Sequence, residues 1–402
     1  MAFNNSSSSA CNGSDCVRSN LFNYTTSEKV AIVLANALIF CLAVPANGIV
    51  IAVISRVQNV RTPTSTFLLN LCVADILMAS LYIPFITVDF YVTGHWVFGD
   101  FMCRLVSFVY YLATYFSILI LTTISVERYI SVCLSRRMRL TDKKAFITTV
   151  VLWLVAACLA LPLFIVRRSI SHPSLNGIEY CVVTWPFSYI KVYTLVTLTL
   201  FYIMPIAFMA MVYYKIGRKV WASADKTRSM KLSKKHASNS KLRLTKIALA
   251  IILSFVISWT PLNTVNVLFF FGKRSSSFSA STAHIVYPIM YWVAFSNCAL
   301  NPLLYCYMSQ NFRKAFTIFR HRRSRSYLAD SISAVSRSSS RRFSRRGKKK
   351  TDEHLADEPN GVPANERDNL RTVSDKSNHD GFLVSQHDSQ NTKETILIVS
   401  AL

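Results

Sequence analysis

Charged and amide side chains set inside long apolar runs are the residues of this chain best placed to do chemistry. Asp75 stands deep in one such run, where an ionised carboxylate is costly and so marks a functional position. Glu127-Arg128-Tyr129 lies near the end of another; the guanidinium keeps its charge and the adjacent carboxylate can hold it. Asn297 and Asn301 are one turn apart on one helix face, and Ser117 falls at a depth similar to that of Asp75. Read as residues alone, these groups make a hydrogen-bonded cluster that packs helices. An intramembrane enzyme would need paired carboxylates, a His-rich metal site or a Ser-His pair at matched depth. The sequence has none of these, and no Cys-x-x-Cys spacing for a metal.

The elements that must position these groups are membrane spans. Val106 to Val132 is apolar up to Glu127, longer than the roughly 20 residues that cross a bilayer. At helical spacing Tyr110, Thr114, Ser117, Leu121 and Arg128 share a face, which should meet other helices because lipid would penalise it. Seven apolar runs, about 29–55, 64–92, 101–134, 144–166, 189–216, 242–271 and 281–308, predict an all-α membrane protein, a seven-transmembrane helix bundle over 29–308. Pro205, Pro261 and Pro302 each predict a kink. Residues 310–320 read as a short amphipathic helix along the inner leaflet, with Phe312, Phe316 and Phe319 on one face. Residues 321–402 turn to Ser, Arg, Lys, Asp and Asn with few aromatics and read as a disordered cytoplasmic tail.

Composition agrees. Of 402 residues, 52% are hydrophobic and only 16% charged, the balance of an integral membrane protein. The net charge of +25 is concentrated at the ends of apolar runs and in the tail, the footprint of loops facing anionic lipid rather than of a nucleic-acid groove. Arg56 with Arg61, the basic cluster from Arg136 to Lys144 and the segment from Lys215 to Lys246 mark the inner side. The N-terminus is therefore expected outside the plasma membrane and the C-terminus inside. Asn4, Asn5, Asn12 and Asn23 begin glycosylation sequons in the polar residues 1–28, with no apolar leader segment ahead of the first span. Cys103 and Cys181 sit at helix–loop boundaries on the outer side, where a disulfide persists. Cys11 and Cys16 are a second candidate pair.

The order and depth of several motifs resemble the rhodopsin-like family of G-protein-coupled receptors over about residues 30–320. They are Asn47, Leu71-x-x-x-Asp75, Trp96-x-Phe98-Gly99 with Cys103, Glu127-Arg128-Tyr129, Trp153, Pro205 with Tyr213, Phe255-x-x-x-Trp259-x-Pro261, and Asn301-Pro302-Leu303-Leu304-Tyr305. The resemblance implies a sodium ion and water held by Asp75, Ser117, Asn297 and Asn301, and no other cofactor. It implies a connector made by Phe255 and Trp259 with Ile118 and Pro205. Arg128 would be held by Glu127 at rest and freed to meet a heterotrimeric G protein, with Tyr213 and Tyr305 swinging in. Lys241 stands where some members carry an acid that clamps this arginine, so that clamp is not expected here.

The resemblance also implies an upper pocket lined by Tyr110, Tyr111, Thr114, Leu262, Asn263, Asn266, Tyr291 and Phe295, above Trp259. Amine receptors place an aspartate where this chain has Tyr110, and opsins need a lysine in the seventh helix that is missing between His284 and Met308. Asn176-Gly177 between strand-forming residues predicts a hairpin that would hold the pocket mouth open, as in peptide receptors of the family. Asp89, Asp100 and Glu179 would attract a basic peptide end, with Trp185, Tyr287 and Tyr291 stacking on it. A neuropeptide is the expected ligand; a monoamine, a lipid or another small molecule, or a constitutively active orphan receptor, are the alternatives. A transporter would show repeated halves, and none is visible. In the tail, serines among arginines from Arg337 to Arg346 suit receptor kinases and an arrestin, and Ser400-Ala401-Leu402 would suit a PDZ domain.

Overall fold

The computed structural model describes residues 24–57, 62–134, 140–171, 177–222, 232–271, 280–308 and 312–318. The sequons, Cys11 with Cys16, the side chain of Lys241 and the tail lie outside the described residues. Seven long helices run through the chain: α1 Thr26–Arg56, α2 Pro63–Thr93, α3 Gly99–Cys133, α4 Asp142–Val166, α5 Phe187–Ala222, α6 Leu232–Phe271 and α7 Ala280–Met308. The first six of these contain a segment long and apolar enough to cross a membrane. The seventh is 29 residues long and interrupts its apolar run with Pro288, Asn297, Asn301 and Pro302.

Several helix starts are written into the local sequence. Thr25 accepts from the Glu28 N–H while the Glu28 carboxylate accepts the Thr25 N–H, a reciprocal cap at the head of α1. Thr62 with Ser65 does the same for α2, where Pro63 takes the first position, and Thr141 caps α4. Two helices are distorted. Ahead of Pro205, α5 widens into a π turn over Thr199–Ile203, so the distortion expected at this proline lies in the turn before it. A second π turn, Val88–Thr93, follows Pro84 in α2 and ends at Gly94, whose φ of 71° suits a residue without a side chain; the sequence reading did not anticipate it. The fifth and sixth helices also run past the apolar segments, α5 on to Ala222 and α6 from Leu232.

The third helix is the centre of the bundle and packs on α2, α4, α5 and α6. Phe116, Ile118, Leu121 and Ile124 of α3 are fully buried. Phe116 stacks on Trp153 of α4 with ring centroids 3.8 Å apart, and the Trp153 Nε1–H donates to Asn70 Oδ1 of α2 at 3.0 Å. The outward faces carry Leu34, Leu38, Ile147, Leu154, Val192 and Ile257 exposed, as helices surrounded by acyl chains require.

Between α4 and α5 the expected hairpin is present. Strands β1 Arg167–Ser171 and β2 Glu179–Val183 pair antiparallel with Ser169 opposite Cys181. The strands end at Ser171 and resume at Glu179, so the connection is longer than the two-residue turn suggested by Asn-Gly; Gly177 takes a positive φ of 79° within it. The disulfide Cys103–Cys181 ties β2 to the outer end of α3. Beyond α7, residues 312–318 are helical. Phe312 and Ala315 are buried, with Phe312 packed on Tyr305 at 5.0 Å, and Phe316, one turn on, is exposed.

Replacing Cys181 with Ser frees the hairpin from α3. Thermal unfolding of the purified protein should show a loss of about 3 kcal/mol, and an unchanged melting temperature would refute the structural weight given to this bond.

Candidate functional site

Three groups of polar residues occupy the bundle at different depths. The outermost surrounds a cavity of ≈ 1070 Å³ of empty space, its open mouth included. Tyr110, Tyr111 and Thr114 of α3 line it, as do Trp259, Asn263 and Asn266 of α6, Tyr291 of α7 and Trp185 behind β2. All eight were expected there. The Asn263 side-chain N–H donates to the Trp259 carbonyl at 3.0 Å, while Asn266 Oδ1 and Trp259 Nε1 are buried without a partner in the protein. Such groups favour a ligand that supplies hydrogen bonds.

Other expectations for this region shift. Leu262 and Phe295 are buried but absent from the cavity wall; Phe295 packs its ring against Tyr82 and Tyr291. Asp89 is buried and lines a smaller cavity next to the disulfide. Glu179 lines neither, and accepts from the Ser169 hydroxyl at 2.7 Å. Asp100 pairs with Arg104 and Arg168 and accepts the Ser169 N–H at 2.9 Å. The wall supplied by α5, including Tyr193, Thr197 and Tyr202, and the inward Arg167 were missed. Arg167 ends an apolar run, where the simplest reading is a loop charge in water.

On the same wall the Trp259 ring lies 5.9 Å from that of Phe255, which is 6.4 Å from that of Tyr202 of α5; Ile118 is buried on α3. Deeper still, Asp75 is 4% exposed and accepts from Asn301 Nδ2 at 3.0 Å. The same Asn301 nitrogen is 3.3 Å from Asn297 Oδ1, and Asn297 reaches Ser254 of α6 at 3.5 Å. Asn47 joins α1 to α7 by donating to the Cys298 carbonyl at 2.9 Å. Ser117 enters none of these bonds. Among the described residues no cationic side chain pairs with Asp75, and Asn301 Oδ1 is buried with no partner.

At the inner end Arg128 is 3% exposed. Its Nε–H donates to Glu127 Oε2 at 2.6 Å, and a terminal nitrogen bonds the Thr64 hydroxyl of α2. Thr64 in turn donates to Glu127 Oε2 at 3.0 Å. A three-residue closed set thus ties α3 to α2; Glu127 and Arg128 were expected, Thr64 was not. Tyr213 is half-buried, its hydroxyl turned in near Ser125 and Arg128, and Tyr305 is buried against Phe312. Pro261 lies within α6.

The comparisons with known proteins now give this geometry a class. The family model "7 transmembrane receptor (rhodopsin family)" matches residues 46–305, so the chain belongs to the rhodopsin-like seven-transmembrane receptors and is a multi-pass membrane protein. Neuropeptide FF receptor 2 of Rattus norvegicus is 30% identical over 291 residues, 69% of this chain and 70% of that relative. The Pyroglutamylated RF-amide peptide receptor of Mus musculus is 29% identical over 72% of this chain and 69% of its own length. Galanin receptor 2a of Danio rerio is 29% identical over 72% and 77% respectively.

Thr64→Val removes a hydroxyl that bonds both charged groups. It should cost about 2 kcal/mol of stability, since hydrogen bonds to charged partners are the stronger class; a melting temperature equal to that of the wild type would show that the set is not held through Thr64.

Proposed function

We propose that this receptor is activated from outside the cell by a peptide and passes the signal to a heterotrimeric G protein inside, with its N-terminus extracellular and its C-terminus cytoplasmic. The observation that carries the peptide reading is the upper cavity, broad, open and walled by aromatic, hydroxyl and amide side chains, with no carboxylate among its described lining residues. A small amine would lack its counter-ion there, whereas peptide backbone and aromatic side chains match such a wall. The names of the relatives support the same ligand class.

Mechanistically, the ligand binds better to the state whose inner face is open and so raises its population. Contact at Tyr110, Tyr291 and Trp259 is relayed through Phe255, with Pro261 as the weak point of α6. Opening at the inner end parts Arg128 from Glu127 and Thr64, offering the guanidinium to the G protein while Tyr213 and Tyr305 fill the space it leaves. The same Thr64→Val change should therefore raise basal signalling.

Asp75, Ser117, Asn297 and Asn301 would hold a sodium ion, which would supply the counter-charge that no described side chain provides. A carboxylate without a cationic neighbour and the unpartnered Asn301 oxygen support this reading. These residues join α2, α3 and α7, so a filled site would favour the closed state.

Cells expressing the full chain, challenged with short peptides and with monoamines and lipids and read by calcium and cAMP, test the ligand class. A dose-dependent peptide response that disappears in Arg128→Ala is expected; a monoamine response would overturn the argument from Tyr110. Replacing potassium by sodium should raise the melting temperature of the purified wild type and leave that of Asp75→Asn unmoved. Equal shifts in both would exclude the ion site.

A further inference from the structure

We infer that Arg167 is the anion-reading residue of the ligand pocket and that the activating ligand presents a carboxylate to it, an acidic side chain or a free carboxyl terminus. The inference rests on the peptide-receptor reading and names the chemistry of its ligand. Arg167 is 6% exposed and borders both the open cavity and the smaller one beside it. Among the described residues it is the sole charged side chain on the wall of the larger cavity. Its terminal nitrogen donates to the Cys181 carbonyl at 3.3 Å, and its Nε is buried with no hydrogen-bond partner. Among the described residues no carboxylate forms an ion pair with it.

The position is built rather than incidental. The backbone of Arg167 closes α4 and begins β1, paired with Val183. The carbonyl that the guanidinium holds belongs to Cys181, itself bonded to Cys103. Helix end, strand ladder and disulfide therefore fix the fork from three sides; the guanidinium also donates a hydrogen bond to the Tyr111 hydroxyl, and the hydroxyls of Tyr82 and Tyr110 lie within its electrostatic reach. A buried cation left without a carboxylate is unfavourable, and a ligand carboxylate would complete it with the paired N–H···O geometry for which guanidinium is shaped. The neighbouring arginines are used differently: Arg104 and Arg168 are both committed to Asp100.

The test uses cells expressing the full chain and a library of short peptides, each made once with its carboxylates free and once with them as carboxamides. The receptors compared are the wild type, Arg167→Gln and Arg167→Lys. Activating peptides should carry a carboxylate whose conversion to carboxamide costs about 10- to 100-fold in potency on the wild type, the range of a hydrogen-bonded charged contact. Arg167→Gln should impose the same loss on the acid form and none on the carboxamide, and Arg167→Lys should recover part of it. Peptides that act equally in both forms, or that are indifferent to Arg167→Gln, overturn the assignment and leave the peptide receptor standing. Responses to monoamines or lipids alone overturn both. A second readout needs no agonist: hydrocinnamate should raise the melting temperature of the purified wild-type receptor, while hydrocinnamamide at equal concentration should not, and Arg167→Gln should abolish the difference. Equal shifts by acid and amide, or no shift by either, also overturn it.

Discussion

Hydrocarbon offers no hydrogen bonds, and this constraint shapes everything else in the molecule. Each backbone N–H and C=O in the membrane must be paired within its own segment, which leaves helices as the spanning element here. The same constraint makes every polar side chain between the helices conspicuous. Many hydroxyls bond a carbonyl one turn back in their own helix, as Thr114, Thr122 and Ser125 do, and a second set bonds across helices: Asn47 between α1 and α7, Asn70 with Trp153, Asp75 with Asn301, and Thr64 with Arg128. Each such bond is modest in energy. Together they tie α1, α2, α4 and α7 to one another and to the central α3.

The helices are held least firmly where function would require movement. The π turns before Pro205 and after Pro84 leave the ladder locally irregular, and Pro261 and Pro302 each remove a donor from a helix that also carries pocket or core residues. The two π turns themselves contribute to the cavity walls, through Phe201 and Tyr202 of α5 and Asp89 and Phe90 of α2, and the Thr64, Glu127 and Arg128 set lies at the inner end. A bundle with such irregular turns can occupy two arrangements that differ by little energy, and a ligand need only prefer one of them.

Much of the site was legible because membrane burial restricts where polar residues can go. Asp75, Asn297, Asn301, Arg128 and Glu127 stand out from apolar neighbours, and the structure brings the first three together and the last two into contact. Thr64 was overlooked because a threonine near a helix start is ordinary as a surface residue; only the approach of α2 to α3 gives its hydroxyl two charged partners. Helical spacing grouped Phe312 with Phe316, but that Phe312 is buried and Phe316 exposed depends on where α7 ends and how the chain turns beneath it. Asp100 and Glu179 read as free rim charges, but the hairpin folds its own Arg168 and Ser169 onto them.

The sequence by itself determined the number of long helices, the hairpin between the fourth and fifth, the cysteine pair and the polar residues at each depth. These follow from local rules: apolar length against bilayer thickness, glycine and asparagine at turns, and the cost of charge in lipid. Tertiary structure alone decided which way Arg167 points. At the end of an apolar run an arginine is as able to reach water as to turn inward; the strand pairing of β1 and the bond from Cys103 to Cys181 turn it inward. Facing is a property of packed neighbours that no single segment contains, so the charge that distinguishes this pocket becomes visible only in the folded chain.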